Sequence, residues 1–217
     1  MKKLVIFGNG IMAKIAHFYF CRDSQYEVVA FTVDKIYNSI DKFCTLQVVN
    51  FEEVESIYPP EHYEMFIAIG PSKMNSIREL KFIEAKKKGY VLATYISPHA
   101  ICDSKVGENT FVCDMAIINP FVIVGHNILI WEYVRLGNDC IVGDHCYFSP
   151  RASISTLAEI EDNVILGTGS VVKTGVKVAK KSLVGATCYI SSNTKENGVY
   201  GEKCSPLYGC ISDKIEI

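Results

Sequence analysis

No excess of basic residues marks this chain: 22 Lys and Arg stand against 24 Asp and Glu, a net charge of -2 over 217 residues. A nucleic-acid binder needs a basic face to neutralise phosphates, so nucleic acid is not an expected partner. No segment approaches the roughly 20 uninterrupted apolar residues that cross a bilayer, so membrane insertion is not expected either. The opening MKKLVIFGNGIMAKIAHF has the basic pair and short apolar run of a signal peptide. However, Asn9, Lys14 and His17 interrupt it, and no small-residue cleavage site follows. Nine cysteines include no CxxC pair. An odd count without an export signal points to reduced thiols in the cytoplasm, not to disulfides or cysteine-held metal.

Two different periods organise what is there. Over residues 1–95, short β-rich runs (KLVIFG, EVVAFTV, LQVVNF, MFIAIG, YVLATYI) alternate with helical patterns, clearest in IMAKIAHFYFCR and NSIRELKFIEAKKKG. Interleaved strands and helices imply a small Rossmann-like α/β domain with a parallel sheet. After Pro98 a strict period of six takes over. From Val106 to Val184, every sixth residue is apolar over fourteen positions, and the residue four places after each is small or compact. Glycine recurs at intervals of eighteen (Gly107, Gly125, Gly143; Gly167, Gly185). One hexad cannot bury its apolar face alone, so the units must stack, and eighteen residues per turn means a three-sided parallel coil. Cys140, Cys146 and Cys188 fall on its compact inner positions and are expected to be core.

This repeat resembles the left-handed β-helix of the hexapeptide-repeat acyltransferases, and the left hand comes only from that resemblance. With the α/β domain in front, the chain from Lys3 to Gly201 resembles the bacterial nucleotide-sugar acetyltransferases of the NeuD/PglD type. ATYISPHAICDSKVGENTFV is similar to their domain junction and GDHCYFSPRASI to their central coil. The implied layout is a nucleotide-sugar-binding domain at 1–95, a β-helix at 96–192 and a C-terminal capping tail at 193–217.

Gly8-Asn9-Gly10-Ile11-Met12-Ala13 follows the first strand and opens the first helix, a GxGxxA version of the phosphate turn, and Asp34 ends the second strand. The same residues would also serve as an ordinary tight turn and a solvated strand end. The resemblance assigns Gly8, Asn9, Gly10 and Asp34 to the nucleotide of the sugar substrate, together with Ile69, Gly70, Pro71 and Arg78 of a second loop.

The family pattern carries a histidine where this chain has Asn138, and a second histidine where it has Tyr147. An amide is no general base at neutral pH. Asp139 is kept. Asn138 is expected to orient the sugar amine or acyl carbonyl, with Asp139 as electrostatic support; a plain turn residue tolerant of left-handed backbone is the alternative. Thr156, one coil on, offers a backbone N–H to a thioester oxygen. Gly167, Thr168, Gly169, Gly185 and Ala186 resemble the path of the acetyl-CoA arm, with Tyr147 beside them and Lys173 placed to meet phosphates. His126 and His145 fall on another edge of the coil, and His17, His62 and His99 lie elsewhere.

Hydroxyl acylation needs a base during attack, whereas the neutral fraction of an amine is already nucleophilic. The resemblance with this departure implies a cytoplasmic homotrimer moving acetyl from acetyl-CoA to the amine of a nucleotide-linked amino sugar, without metal, in glycan biosynthesis. Two rivals stay open: an O-acetyltransferase using another histidine, and a scaffold that binds nucleotide sugar without turnover.

Overall fold

Leu4, Val5 and Ile6 have no polar side chain to leave in water, and all three are fully buried. In the computed structural model, which describes residues 1–201, they belong to β1 (Lys2–Phe7), an inner strand of a five-stranded sheet. Its other strands are β2 (Tyr26–Val33), β3 (Lys42–Phe43), β4 (Leu46–Asn50) and β5 (Tyr63–Ile67), in the order β3-β4-β2-β1-β5. All pairs are parallel except the β3–β4 hairpin. Helices α1 (Ile11–Asp23), α2 (Val54–Ile57) and α3 (Ser76–Lys87) complete the domain.

The fifth expected strand, YVLATYI, departs from expectation. It touches the sheet only at one bridge, Leu92 to Met65. Tyr95–Ile96 then leaves to pair with Phe111–Val112, and the Tyr95 ring stacks on Phe111 at 4.9 Å. The coil therefore begins at residue 95, within the segment assigned to the front domain. At the other end, Val199–Tyr200 pairs with Leu183–Val184, so parallel pairing continues past residue 192. The rest of the expected capping tail, 202–217, lies outside the described residues.

From residue 95 on, every strand is two residues long. Each pairs in parallel with the strand one coil away, eighteen residues through most of the stack, as in Phe111↔Leu129↔Tyr147, and sixteen at its two ends, as in Tyr95↔Phe111 and Leu183↔Val199. Three flat faces result: face I with Phe111–Val112, face II with Ile117–Ile118 and face III with Ile123–Val124. Inside, bulky and compact residues alternate, and Leu136, Cys140, Cys146 and Phe148 have no exposure. Burying one such aliphatic side chain contributes about 1.5–3 kcal/mol, and the stack repeats that gain at every coil.

The corners set the cost. Every sixth residue turns with positive φ, including Asn109, Asn127, Asp139, His145 and Asn163, residue types that tolerate this region best. Glycine is needed where the next coil passes closest: a Cβ on Gly137 would stand 2.5 Å from the Thr156 nitrogen.

The front domain docks on face I. Phe111, Leu129, Trp131 and Tyr147 share one apolar cluster with Phe20 and Phe66, and Arg22 of α1 bonds Asp114 at 2.8 Å. Helix α3 meets the corner between faces III and I. Replacing Gly137 by Ala should force two coils apart and cost about 1–3 kcal/mol. A urea midpoint lowered accordingly, with an unchanged m-value, is the expected result.

Candidate functional site

The first site lies at the carboxyl ends of β1, β2 and β5, where the chain must leave the sheet and its backbone groups turn outward. Gly8 adopts φ +123°, and a Cβ there would come within 2.9 Å of the Ala68 carbonyl. Only glycine fits. Gly10 follows as the N-cap of α1, so the first free N–H groups of that helix face the cleft. Gly8, Asn9, Gly10, Asp34, Ile69 and Gly70 line one cavity of about 300 Å³. Six of the eight residues expected to hold the nucleotide are thus brought together.

Two are not. Pro71 begins the following turn, its carbonyl accepting from the Asn75 N–H at 3.2 Å. Arg78 has no exposure at all. Its guanidinium donates to the carbonyls of Ile69 (3.3 Å), Asn127 (3.2 Å), His145 (3.1 Å) and Cys146 (2.9 Å). Burial pushes its pKa down to about 10, still charged at neutral pH. It ties the two domains together and cannot reach a ligand, which corrects its assignment to substrate.

The sequence reading missed Lys81, Tyr37 and Ile77, which also line the cavity. Lys81 Nζ donates to Asp34 at 2.6 Å and to Glu84 at 2.7 Å. Burial pulls its pKa down, and these bonds outweigh that and hold it raised. The Asp34 carboxylate therefore reaches the cleft already paired. Lys81 lies one helical turn past Arg78, but only the docking of α3 brings it to Asp34.

The second site is the corner between faces II and III, opposite the face that carries the front domain. Gly137, Asn138 and Asp139 stack beneath Ser155 and Thr156, with exposed Lys173 one coil further. Left-handed backbone falls on Asp139 (φ 55°), not on Asn138. Tolerance of that conformation thus explains the aspartate and leaves the asparagine without a conformational reason. Asn138 Oδ1 accepts from Asn119 at 3.3 Å, and its carbonyl accepts from Leu157 N–H at 3.0 Å. Among the described residues, its Nδ2 group and the Thr156 N–H have no hydrogen-bond partner. Both are free donors on a half-buried ledge.

Gly167, Thr168, Gly169, Gly185 and Ala186 stack on the corner between faces I and II, where Cβ on Gly167 would meet Ala186 N at 2.5 Å and Gly169 has φ +67°. Within one chain, face II separates them from Asn138 and Lys173. Tyr147 belongs to neither corner. It stands half-buried on face I, 6.3 Å from the Trp131 ring, in the cluster shared with the front domain. This moves it from the acetyl-CoA set to the domain junction.

His126 and His145 lie on the third corner, whereas His99 is exposed on the corner between faces I and II. His126 Nδ1 accepts from the Glu108 N–H at 3.0 Å, leaving its proton on Nε2. His145 Nδ1 faces the Asn127 amide nitrogen at 2.8 Å and Nε2 faces Glu79 at 3.9 Å. Neither ring offers a lone pair near Asn138. Among the described residues, no three His, Cys, Asp or Glu side chains form a metal-binding group, and no helix is long and apolar enough to cross a membrane.

Burial lowers the His145 pKa below its ordinary 6.5, with Glu79 and Asp144 opposing part of that shift. The native imidazole thus refuses a proton that the unfolded chain accepts. This contribution to stability is intact above pH 6.5 and falls as the pH drops below it. Urea midpoints at pH 7.5 and 5.5 should differ more for the wild type than for His145→Asn, which has nothing to titrate there.

With the geometry in view, the chain can be set beside known proteins. Residues 3–85 match the family model of the PglD N-terminal domain. GDP-perosamine N-acetyltransferase from Escherichia coli O157:H7 is 36% identical over 80 residues, which make up 34% of this chain and 36% of that protein. The match thus spans little more than a third of the relative's length. In structure the chain is similar to the acetyltransferase domain of PglB from Neisseria gonorrhoeae FA1090, with a TM-score of 0.83 and 19% identity over 95% of this chain and 100% of that one. It is also similar to a His-to-Asn variant of perosamine N-acetyltransferase from Caulobacter crescentus in complex with CoA and GDP-perosamine, with a TM-score of 0.80 and 22% identity over 92% and 93% of the two chains. Residues 3–85 thus match a PglD N-terminal domain, and the chain as a whole shares the fold of these two solved acetyltransferases, an α/β domain joined to a left-handed parallel β-helix.

Proposed function

We propose that the protein transfers an acetyl group from acetyl-CoA to the amine of a nucleotide-linked 3- or 4-amino-deoxy sugar, for surface glycan assembly in the cytoplasm. The observation that carries this reading is the pairing in one chain of two features. One is the glycine-lined cavity at the sheet's carboxyl ends; the other is a coil of the acyltransferase fold whose edge offers donors but, among the described residues, no histidine.

The sugar amine, in its neutral form, attacks the thioester carbonyl. The C–N bond forms, the C–S bond breaks, and the departing thiolate or water takes the proton lost by nitrogen. No side chain has to remove a proton before attack, which suits Asn138. Its free Nδ2 and the Thr156 N–H are placed to donate to the carbonyl oxygen as charge develops there. Asp139, exposed beside them, favours an approaching ammonium electrostatically. The glycine corner with Gly167, Thr168, Gly169, Gly185 and Ala186 leaves room for the acetyl-CoA arm, and Lys173 for its phosphates.

One chain does not suffice. Its front domain covers face I, while Asn138 stands on the opposite corner. Beside Asn138, Phe121, Leu157, Ile123 and Ile141 are 76%, 60%, 62% and 47% exposed, an apolar stripe on either side of Asp139 of the kind that marks association. A homotrimer would cover the stripe and set one chain's glycine corner against the next chain's Asn138.

The O-acetyl reading needs a base with a free lone pair, and the bonding of His126 and His145 supports neither as one. Thiol release from acetyl-CoA, measured across UDP-, dTDP- and GDP-linked amino sugars and their hydroxyl counterparts, tests the proposal. Turnover is expected with an amine and not with the matching hydroxyl. Asn138→Ala should lower kcat about tenfold to a hundredfold; an unchanged rate would remove the role given to Asn138. In light scattering, Phe121→Asp with Leu157→Asp should convert a trimer to monomers, and a wild type that is already monomeric would refute the shared site.

A further inference from the structure

One buried cluster is not used by the reaction. At steps of eighteen on the corner between faces III and I come Asn109, Asn127, His145 and Asn163. Their side chains turn inward to α3, with 0%, 0%, 9% and 1% exposure. They form a hydrogen-bonded ladder with a fixed direction. Asn109 Oδ1 accepts from the Ile67 N–H at 2.7 Å, and its Nδ2 donates to Asn127 Oδ1 at 2.8 Å. With that oxygen used, Asn127 Nδ2 must donate to His145 Nδ1, which puts the imidazole proton on Nε2, toward Glu79. The second Glu79 oxygen accepts from Asn163 at 2.9 Å.

This ladder and Arg78 end on the same short segment. β5 is the last strand of its sheet. At its tip, Asn109 bonds both the N–H and, at 3.3 Å, the carbonyl of Ile67, as a neighbouring strand would. Arg78 holds the Ile69 carbonyl two residues on. Between and after them, Ala68, Ile69 and Gly70 wall the candidate nucleotide cavity. The wall is therefore fastened to the coil. A cation with no exposure and no carboxylate partner is a poor stabiliser compared with apolar packing, so its presence calls for another role.

We propose that Arg78 and His145 are positioning residues for the nucleotide cavity: Arg78 fixes Ile69 against the coil, and His145 sets the direction of the ladder that holds Ile67. The inference rests on the cavity's reading as a nucleotide site, but the hold on the wall can be tested without any ligand. The charged and titratable groups around His145 are Glu79 and Arg78 from α3, Asp144 beside it, Asp162 from the next coil and His126 from the previous one. A protonated His145 would present N–H to the Asn127 NH₂, donor against donor, and the ladder would lose its acceptor.

Amide hydrogen exchange on the full chain reads this directly at Ile67 and Ala68, whose N–H groups bond Asn109 Oδ1 and the Phe7 carbonyl. Arg78→Lys keeps the charge but cannot span four carbonyls. Relative to intrinsic rates, it should speed exchange at these two amides at least tenfold while leaving Ile141 and Val142 unchanged. Kd for the probes UDP and GDP should rise at least tenfold and KM for acetyl-CoA should not. In the wild type, the two amides should exchange several-fold faster at pH 5.5 than at 7.5 once each rate is divided by the intrinsic rate at that pH, and His145→Asn should abolish that difference.

Unchanged exchange at Ile67 and Ala68 in Arg78→Lys, or a uniform rise across the chain, would overturn the positioning role. A pH difference that survives in His145→Asn would overturn the part given to His145. If Arg78→Lys does not fold, the same exchange comparison in Arg78→Met decides the part given to Arg78, and His145→Asn the part given to His145. If the exchange pattern holds but neither nucleotide binds the wild type, positioning stands and the nucleotide reading falls.

Discussion

Among the described residues, no strand of the C-terminal half has a partner closer than one coil away. Each two-residue strand takes its hydrogen bonds from strands one turn before and after, eighteen residues away through most of the stack. The register is therefore fixed by chain length per turn, and a slip of one residue would move every inward side chain outward. All else follows from this spacing. It makes the corners turn at every sixth residue, demands glycine where coils pass closest, and sorts side chains into vertical columns. Columns, not sequence neighbours, are the working units: Gly137, Ser155 and Lys173 on one edge, Asn109, Asn127, His145 and Asn163 on another.

The front domain gives these columns unequal roles. It covers face I and the corner toward face III, so their residues serve as glue: aromatic contacts on the face, buried amides and Arg78 at the corner. The two remaining corners stay open, and the chemical candidates lie there. His126 and His145 fall on the corner toward face III, where a backbone N–H and an amide face their Nδ1 atoms, while His99 lies exposed on the glycine corner. Their fate shows that the type of residue matters less than its column. The same chemistry that suits a base elsewhere makes His126 and His145 structural here.

Much of this was legible in the residues. Periods do not depend on docking, so the coil, its inward cysteines and the main strands and helices were readable from Val106 onward and from the front-half runs. The GxGxxA turn and Asp34 were readable because strand, turn and helix are contiguous. Failures came where one element meets another. YVLATYI has strand composition, but Tyr95 stacks on Phe111 and the run leaves the sheet. Arg78 looks like a binding residue one helix away from a loop, and only the approach of α3 to the coil shows that it is enclosed. Lys81 was missed for the same reason. The ladder left a signal, asparagine at 109, 127 and 163, whose meaning required knowing what packs against that corner. Asn138 and Asp139 were separable only by backbone angle.

The central claim is acyl transfer to nitrogen without an enzymic base. The pH dependence of kcat/KM with a reactive amino sugar tests it most directly. The account predicts a single rise that follows the substrate amine's own ionisation and is unchanged in His99→Asn, His126→Asn and His145→Asn. An additional limb near pH 6.5, the ordinary range of histidine, that disappears when any one of these histidines is replaced would contradict it.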